Sequence, residues 1–330
     1  MRINKKIKKK ITPSLIVPII KQYNILPKLP KRKNCCTIVI PHVNTPYYLY
    51  GCIDQIKRYR HPEINQKIIV IDQSKYNINI EVCRKYISDF DVTVITAPQV
   101  DAGFPLDLGL NHADTEYYCS LDCDAFPIHK NWLYLPIKLI EKYNFSFVGT
   151  DTGLSSSYKQ KGDFSHINNY FRVSKTHIAQ TVSDTVGFMR PSNRKRVGFV
   201  PKDERWGDLS CDNGVIAQWY SDQEKMGDKF AFSLNKKLGL TKEMGLYGIV
   251  VDDLVFHIVF GWGEEWIDDL QKVLGENYLK LIEEIKSKPI DNNVIQNLIN
   301  RCVHHDHPRT INSQAVPDDI NDFVEEIKNR

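Results

Sequence analysis

The chain has 330 residues, 42% hydrophobic and 25% charged, a globular composition with enough length for a sizeable core in one large domain or two small ones. Its net charge of +4 is unevenly spread. Residues 1–33 hold eleven Lys and Arg and no Asp or Glu, so the remaining 33 basic residues face all 40 acidic ones in an acidic body. An acidic body without a recognition motif argues against nucleic acid as a partner.

The basic arm, residues 1–33, is of the kind that seeks an anionic surface. Its apolar stretch Ile11–Ile20 is shorter than the ~20 residues a membrane span needs. Two prolines and the lack of a small-residue cleavage site speak against a signal peptide. Two expectations follow: the arm lies on an anionic membrane surface, or it packs along the body. Eight cysteines, none in a Cys-x-x-Cys pair and several within apolar runs, read as buried thiols in a reducing compartment. The expected location is cytoplasmic, with the inner face of a membrane as the peripheral option.

Residues 34–41 (Asn-Cys-Cys-Thr-Ile-Val-Ile-Pro) form a β-branched apolar run, read as a first buried strand. His42 to Pro46 is a loop. Apolar residues then recur at helical spacing from Tyr47 to Arg60. Lys67–Asp72 is a second strand ending in a carboxylate, Ile80–Phe90 a helix, and Asp91–Thr96 a third strand. Gly103–Ala113 opens as a loop and becomes a helix. Tyr117–Leu121 is a fourth strand, followed by Asp122-Cys123-Asp124. Residues 131–144 read as a helix, Phe145–Gly149 as a strand, and the polar stretch 151–201 as a long irregular binding loop. Asp212 precedes an apolar helix start. Gly248–His257 is strand-like, and two helices close the chain around Val294–Cys302 and Ile320–Ile327. Strand–helix alternation of this kind predicts an α/β protein with a doubly wound, mostly parallel sheet. The first strand is not followed by Gly-x-Gly-x-x-Gly, which disfavours a dinucleotide fold, and the P-loop pattern is missing.

In an open α/β sheet, ligands bind beyond the carboxyl ends of the strands. Asp122 and Asp124 sit where the fourth strand ends, at a spacing that can aim two carboxylates at one hard cation. Magnesium or manganese suits such oxygens and in turn suits a diphosphate. The plainer reading of the pair is a polar strand end entering a loop.

Taken together, Thr37-Ile-Val-Ile-Pro41, Ile68-Ile-Val-Ile-Asp72-Gln73, Gly103-x5-Gly109-Leu-Asn111 and Leu121-Asp-Cys-Asp-Ala-Phe-Pro127-x4-Trp132 resemble a family 2-type glycosyltransferase of the GT-A fold, over residues 34–260. The resemblance divides the chain into a basic arm (1–33), a GT-A domain (34–262) and a C-terminal helical extension (263–330). It implies metal-dependent transfer of a sugar from a nucleoside-diphosphate sugar, a UDP-sugar being favoured, to a hydroxyl of a glycan, lipid-linked or protein acceptor, with inversion. It places Pro41, Val43, Asn44, Asp72, Gln73, Gly103, Asn111, Asp122 and Cys123 along the donor, with Asp124, Asp122 and His257 as ligands of Mn2+ or Mg2+. The family's acceptor-side base usually lies in a Glu-Asp pair. This chain instead has Trp206-Gly-Asp208-Leu-Ser-Cys-Asp212, so Asp212 is the expected base and Asp208 the reserve.

Plainer roles stand beside these: Asp72 or Asp212 as a helix cap, His257 as a core histidine. Two other functions fit parts of the pattern. A haloacid-dehalogenase-like phosphohydrolase also uses Asp-x-Asp, with Asp252 and Asp253 as later ligands, but there the pair lies on the first strand. A non-catalytic nucleotide-sugar or carbohydrate-binding protein is the other; the intact Asp122 and Asp124 speak against it.

Overall fold

The computed structural model describes residues 32–43, 45–74, 92–99, 103–151, 167–185, 229–240, 247–258, 290–300, 303–307, 309–311 and 316–330. Most of the arm, the expected helix at 80–90, Asn44, and both Asp208 and Asp212 lie outside these residues.

The parallel half is built from β1 (Arg32–His42), β2 (Asn65–Asp72), β3 (Val92–Thr96) and β4 (Thr115–Leu121), in the order β3-β2-β1-β4. Its apolar runs are continuous because both faces are covered. Alternate residues go to different cores. Cys36, Ile38 and Ile40 of β1, Ile68 and Val70 of β2, and Tyr117, Cys119 and Leu121 of β4 join one core. Val39, Ile69, Ile71 and Tyr118 join the other. Beyond β4 the sheet continues through β7 (Ile167–Lys175), antiparallel to both β4 and β6 (Phe145–Asp151). β8 (Lys229–Ser233) runs parallel to β6, and the short β13 (Thr310–Ile311) closes this edge.

The first core is covered by α1 (Pro46–Arg58) and α3 (Tyr134–Tyr143), through Leu49, Ile53 and Ile56 and through Leu135, Ile137, Leu139 and Ile140. The second is covered by α2 (Phe104–Asn111) and α4 (Thr176–Thr185), through Leu106, Leu108 and Leu110 and through Ile178, Ala179 and Val182. α2 lies close against β1 only because residue 109 is glycine: a Cβ there would collide with the Val39 side chain.

A second sheet, in the order β12-β9-β10-β11-β5, joins β5 (Ala125–Pro127), β9 (Lys236–Leu240), β10 (Tyr247–Val251), β11 (Val255–Ile258) and β12 (Val303–His307). Near the C-terminus, α5 (Asn292–Asn300) and α6 (Ile320–Asn329) are the two expected closing helices. Ile320, Val324 and Ile327 of α6, spaced for one helix face, are buried in the first core, worth about 1.5–3 kcal/mol each in transfer from water. Asn131 Nδ2 donates to Ile327 O at 2.6 Å, satisfying a carbonyl at the helix end.

Three expectations are corrected. The stretch 151–201 is not wholly irregular, since β7 and α4 lie within it; the Asn, Arg and Ser residues of β7 had hidden a central strand. Gly248–His257 is a hairpin rather than one strand. Its turn is closed by Leu254 N–H to Val251 O, with Asp252 and Asp253 at φ 48° and 57°, the positive values that primed hairpin turns require. The C-terminal part is not purely helical: β12 and β13 pair into the two sheets.

Candidate active site

The Asp-Cys-Asp turn hands the chain from one sheet to the other. Asp122 N–H donates to Tyr170 O at 3.0 Å, extending the β4–β7 ladder one residue past Leu121. Ala125 N–H then donates back to Asp122 O at 3.0 Å, closing the turn. Next, β5 enters the second sheet with Ala125 opposite His257, and Ile258 N–H donates to Asp124 O at 3.1 Å. Asp122 therefore ends the first sheet, while Asp124 begins the second beside β11.

This geometry brings together the three residues expected to hold a metal. One ligand atom from each of Asp122, Asp124 and His257 lies within 4.8 Å of the others, the one such group among the described residues. His257 Nε2 is 3.3 Å from Asp124 Oδ1. The His257 ring is buried and stacked on Tyr170, with centroids 4.1 Å apart and planes at 7°. Its Nδ1 is buried with no hydrogen-bond partner among the described residues. Two carboxylates and an imidazole gathered at this spacing are a donor set that fits a divalent ion.

Cys123 lies between the two carboxylates. Burial first, then the charge of Asp124, push its thiol well above the ordinary range, against a weaker opposing hydrogen bond from Thr45. Thr45 Oγ1 lies 3.3 Å from Cys123 Sγ, and Cys52 Sγ donates to Asp122 O at 3.9 Å.

The expected nucleoside side lies at the ends of β1 and β2. Pro41 pairs with Ile71, and His42 with Asp72; Val43 follows directly. Asp72 is buried, and its Oδ1 is 2.9 Å from His42 Nδ1 and accepts from Ser74 N–H at 3.1 Å. Burial works against ionisation of Asp72, but the bonds from His42 and Ser74 outweigh it and hold the carboxyl below its usual range. Gln73 is buried too, with Nε2 donating to Pro98 O at 2.8 Å. Gly103 precedes α2, its carbonyl accepting from Leu106 and Asp107, and Asn111 is the last residue of that helix.

Asp252 and Asp253, the ligands a phosphohydrolase would need, are committed elsewhere. Arg309 grips Asp252 through Nε at 3.0 Å and through Nη2 at 2.5 Å. Lys237 and Lys328 hold Asp253 at 3.1 and 3.4 Å.

Residues 37–195 match the family model described as glycosyl transferase family 2. The chain carries a family 2-type glycosyltransferase domain. Its strand order, parallel from β3 to β4 and then antiparallel at β7, is the mixed α/β layout expected of the GT-A fold. No curated protein matches the chain significantly. Among solved structures, S. aureus TarS 1–349 in complex with UDP-GlcNAc is similar at 14% identity, over 46% of this chain and 48% of that one, with a TM-score of 0.37. The mannosyltransferase PcManGT from Pyrobaculum calidifontis, in complex with GDP-Man and Mn2+, is similar at 14% identity over 63% and 59%, with a TM-score of 0.39. Glucosyl-3-phosphoglycerate synthase from Mycobacterium tuberculosis, in complex with Mn2+, UDP-Glc and glycerol 3-phosphate, is similar at 14% identity over 44% and 58%, with a TM-score of 0.36. The chain spans about half the length of the TarS 1–349 structures.

Two contributors escaped the sequence reading. Tyr170 sits in a polar stretch with no motif. His42 reads only as the start of a loop, although its place directly after a buried strand was a signal.

Proposed function

We propose that this glycosyltransferase uses a divalent cation, Mn2+ or Mg2+, to transfer a sugar from a nucleoside-diphosphate sugar to an acceptor hydroxyl, inverting the anomeric centre. The convergence of Asp122, Asp124 and His257 at the carboxyl end of β4 carries this reading. A UDP-sugar is the favoured donor, and the acceptor is a glycan, a lipid-linked saccharide or a protein.

In this reading residues 34–262 form the catalytic unit and 263–330 an extension of it. Asp124, Asp122 and His257 hold the cation, and Tyr170 keeps the His257 ring in plane. A bound Mn2+ or Mg2+ supplies Lewis-acid stabilisation of the departing nucleoside diphosphate. Pro41, Val43, Asn44, Asp72 and Gln73 border the nucleoside, with Gly103, Asn111, Asp122 and Cys123 toward the ribose and diphosphate. Asp212 takes the proton of the acceptor hydroxyl as it attacks, with Asp208 as the reserve, and one such attack inverts the anomeric carbon. The basic arm holds the enzyme at an anionic membrane surface; among the described residues no helix is long and apolar enough to cross a membrane.

Calorimetric titration of UDP and GDP into the protein, with Mn2+ and then with excess EDTA, tests the reading. Nucleotide binding that depends on Mn2+ is the expected result; binding unchanged by EDTA would remove the metal from the scheme.

A further inference from the structure

His42 is absorbed by neither the metal site nor the expected donor contacts, yet it is fully buried where the two meet. Its Nδ1 lies 2.9 Å from Asp72 Oδ1 and 3.4 Å from Ser74 Oγ. At the other edge of the ring, Nε2 accepts from the backbone N–H of Thr45 at 3.1 Å. A ring nitrogen that accepts from an N–H carries no hydrogen itself, so the hydrogen of the neutral imidazole sits on Nδ1 and points at the carboxylate. The ring is thus a rigid spacer between the end of β2 and the residue before α1. From Thr45 the contacts run on to Cys123, between the two proposed metal ligands.

We propose that His42 is a positioning residue of the donor site, fixing Asp72 and Thr45 in one arrangement for the nucleoside of a nucleoside diphosphate. The inference rests on the donor-site reading above. Three observations carry it. Both ring nitrogens are engaged by groups on different elements. The contacts reach two segments that border the proposed nucleoside site. Asp72 is buried, so without a partner its carboxylate would be strongly disfavoured; the bonds from His42 and Ser74 keep it ionised and directional. A histidine does this where a shorter side chain would not, because its two nitrogens stand on opposite edges of one flat ring.

The test compares three forms of the full chain: wild type, His42→Phe, which keeps the ring and loses both bonds, and His42→Asn, which offers an amide near the place of Nδ1. Each is titrated with UDP and GDP in Mn2+, and separately with inorganic pyrophosphate in Mn2+. Loss of a hydrogen bond to a charged group predicts a Kd for the better nucleotide about tenfold higher in His42→Phe. His42→Asn should recover much of that loss, and pyrophosphate should bind all three alike. In the wild type, nitrogen-15 spectra of the imidazole should show hydrogen on Nδ1 and an accepting Nε2; this reading survives even if the variants fold poorly. Hydrogen on Nε2, unchanged nucleotide affinity in His42→Phe, or an equal loss for pyrophosphate would each overturn the assignment to the nucleoside side. If the wild type binds none of these probes, the donor-site reading fails and takes this inference with it; wild-type binding with an unaffected His42→Phe removes this inference alone.

Discussion

Ala125 and His257 face each other across an antiparallel pair of strands, and that one register fixes the candidate metal site. A shift of one residue would turn the His257 side chain to the opposite face of the sheet and away from Asp124.

Asp124→Ala should abolish the Mn2+-dependent part of the stabilisation conferred by nucleoside diphosphate. At a nucleotide concentration 100-fold above Kd that stabilisation amounts to about 2.7 kcal/mol. Thermal unfolding with UDP, with and without Mn2+, measures it. A variant stabilised as much as the wild type would show that Asp124 is not a ligand.

For the base, Asp212→Asn keeps the size and a hydrogen-bonding oxygen. Turnover should fall by ~10²–10⁴-fold while donor Kd stays near the wild-type value. Asp208→Asn should do much less. Comparing kcat for transfer with donor Kd in both variants decides: the reverse pattern exchanges their roles, and loss of donor binding in both makes them supports of the fold.

Removal of residues 1–31 is the appropriate truncation for the arm, because Arg32 already belongs to β1 and pairs with Asp114 at 3.0 Å. Each Lys or Arg near an anionic membrane contributes about 1 kcal/mol. Co-sedimentation with phosphatidylserine vesicles should fall sharply while metal-dependent nucleotide binding persists. Equal sedimentation of the two forms would detach the arm from the membrane.

Arg309→Ala leaves Asp252, whose side chain is 1% exposed, with Lys328 at 3.6 Å as its one cationic partner among the described residues. Breaking a buried pair in this way costs about 3–5 kcal/mol. Asp252→Asn, tolerant of the positive φ, should restore a large part when combined with it. Urea unfolding of the single and double variants gives the coupling. Simple additivity would mean that the pair is not coupled.

The lowered pKa of Asp72 has a definite sign in acid. Its folded pKa lies below the unfolded value of ~3.9, so the group stabilises the fold above that value. The contribution is lost as pH falls toward the folded pKa, because the unfolded chain then binds the proton more readily. Asp72→Asn should therefore show a shallower loss of stability than wild type below about pH 4 in urea titrations. Parallel slopes would place the acid sensitivity elsewhere, for instance at Asp114 or Asp253, also held low by neighbouring lysines after burial is offset.

The parallel half was legible because β1, β2 and β4 are apolar on both faces, and a carboxylate at the end of such a run stands out. Asp122 and Asp124 were picked out as candidates for that reason. β7 was not, because Asn168, Asn169, Arg172 and Ser174 break its pattern. Arg172 is nevertheless buried, with its guanidinium 5.1 Å from the Phe147 ring centroid, which composition alone does not reveal. The β10–β11 turn was hidden for a related reason: Asp252-Asp253 lacks the glycine that usually marks such a turn, and partners far along the chain hold it. The role of His42 needs two hydrogen-bond partners in space, one of them a backbone N–H, and no spacing rule encodes that.

The hairpin that carries His257 also sets an order of assembly. During synthesis β1, β2, β3 and β4 can pair as soon as they emerge, since domains begin to fold from the N-terminal side. At that stage Asp122 and Asp124 stand at the end of an unfinished sheet. The third candidate ligand arrives only with β11, and Arg309 and Lys328, which hold the turn behind it, follow later. The parallel half of the sheet thus precedes the candidate cation site in order of synthesis, and the first core is completed only by residues that come after both, Ile320, Val324 and Ile327 among them.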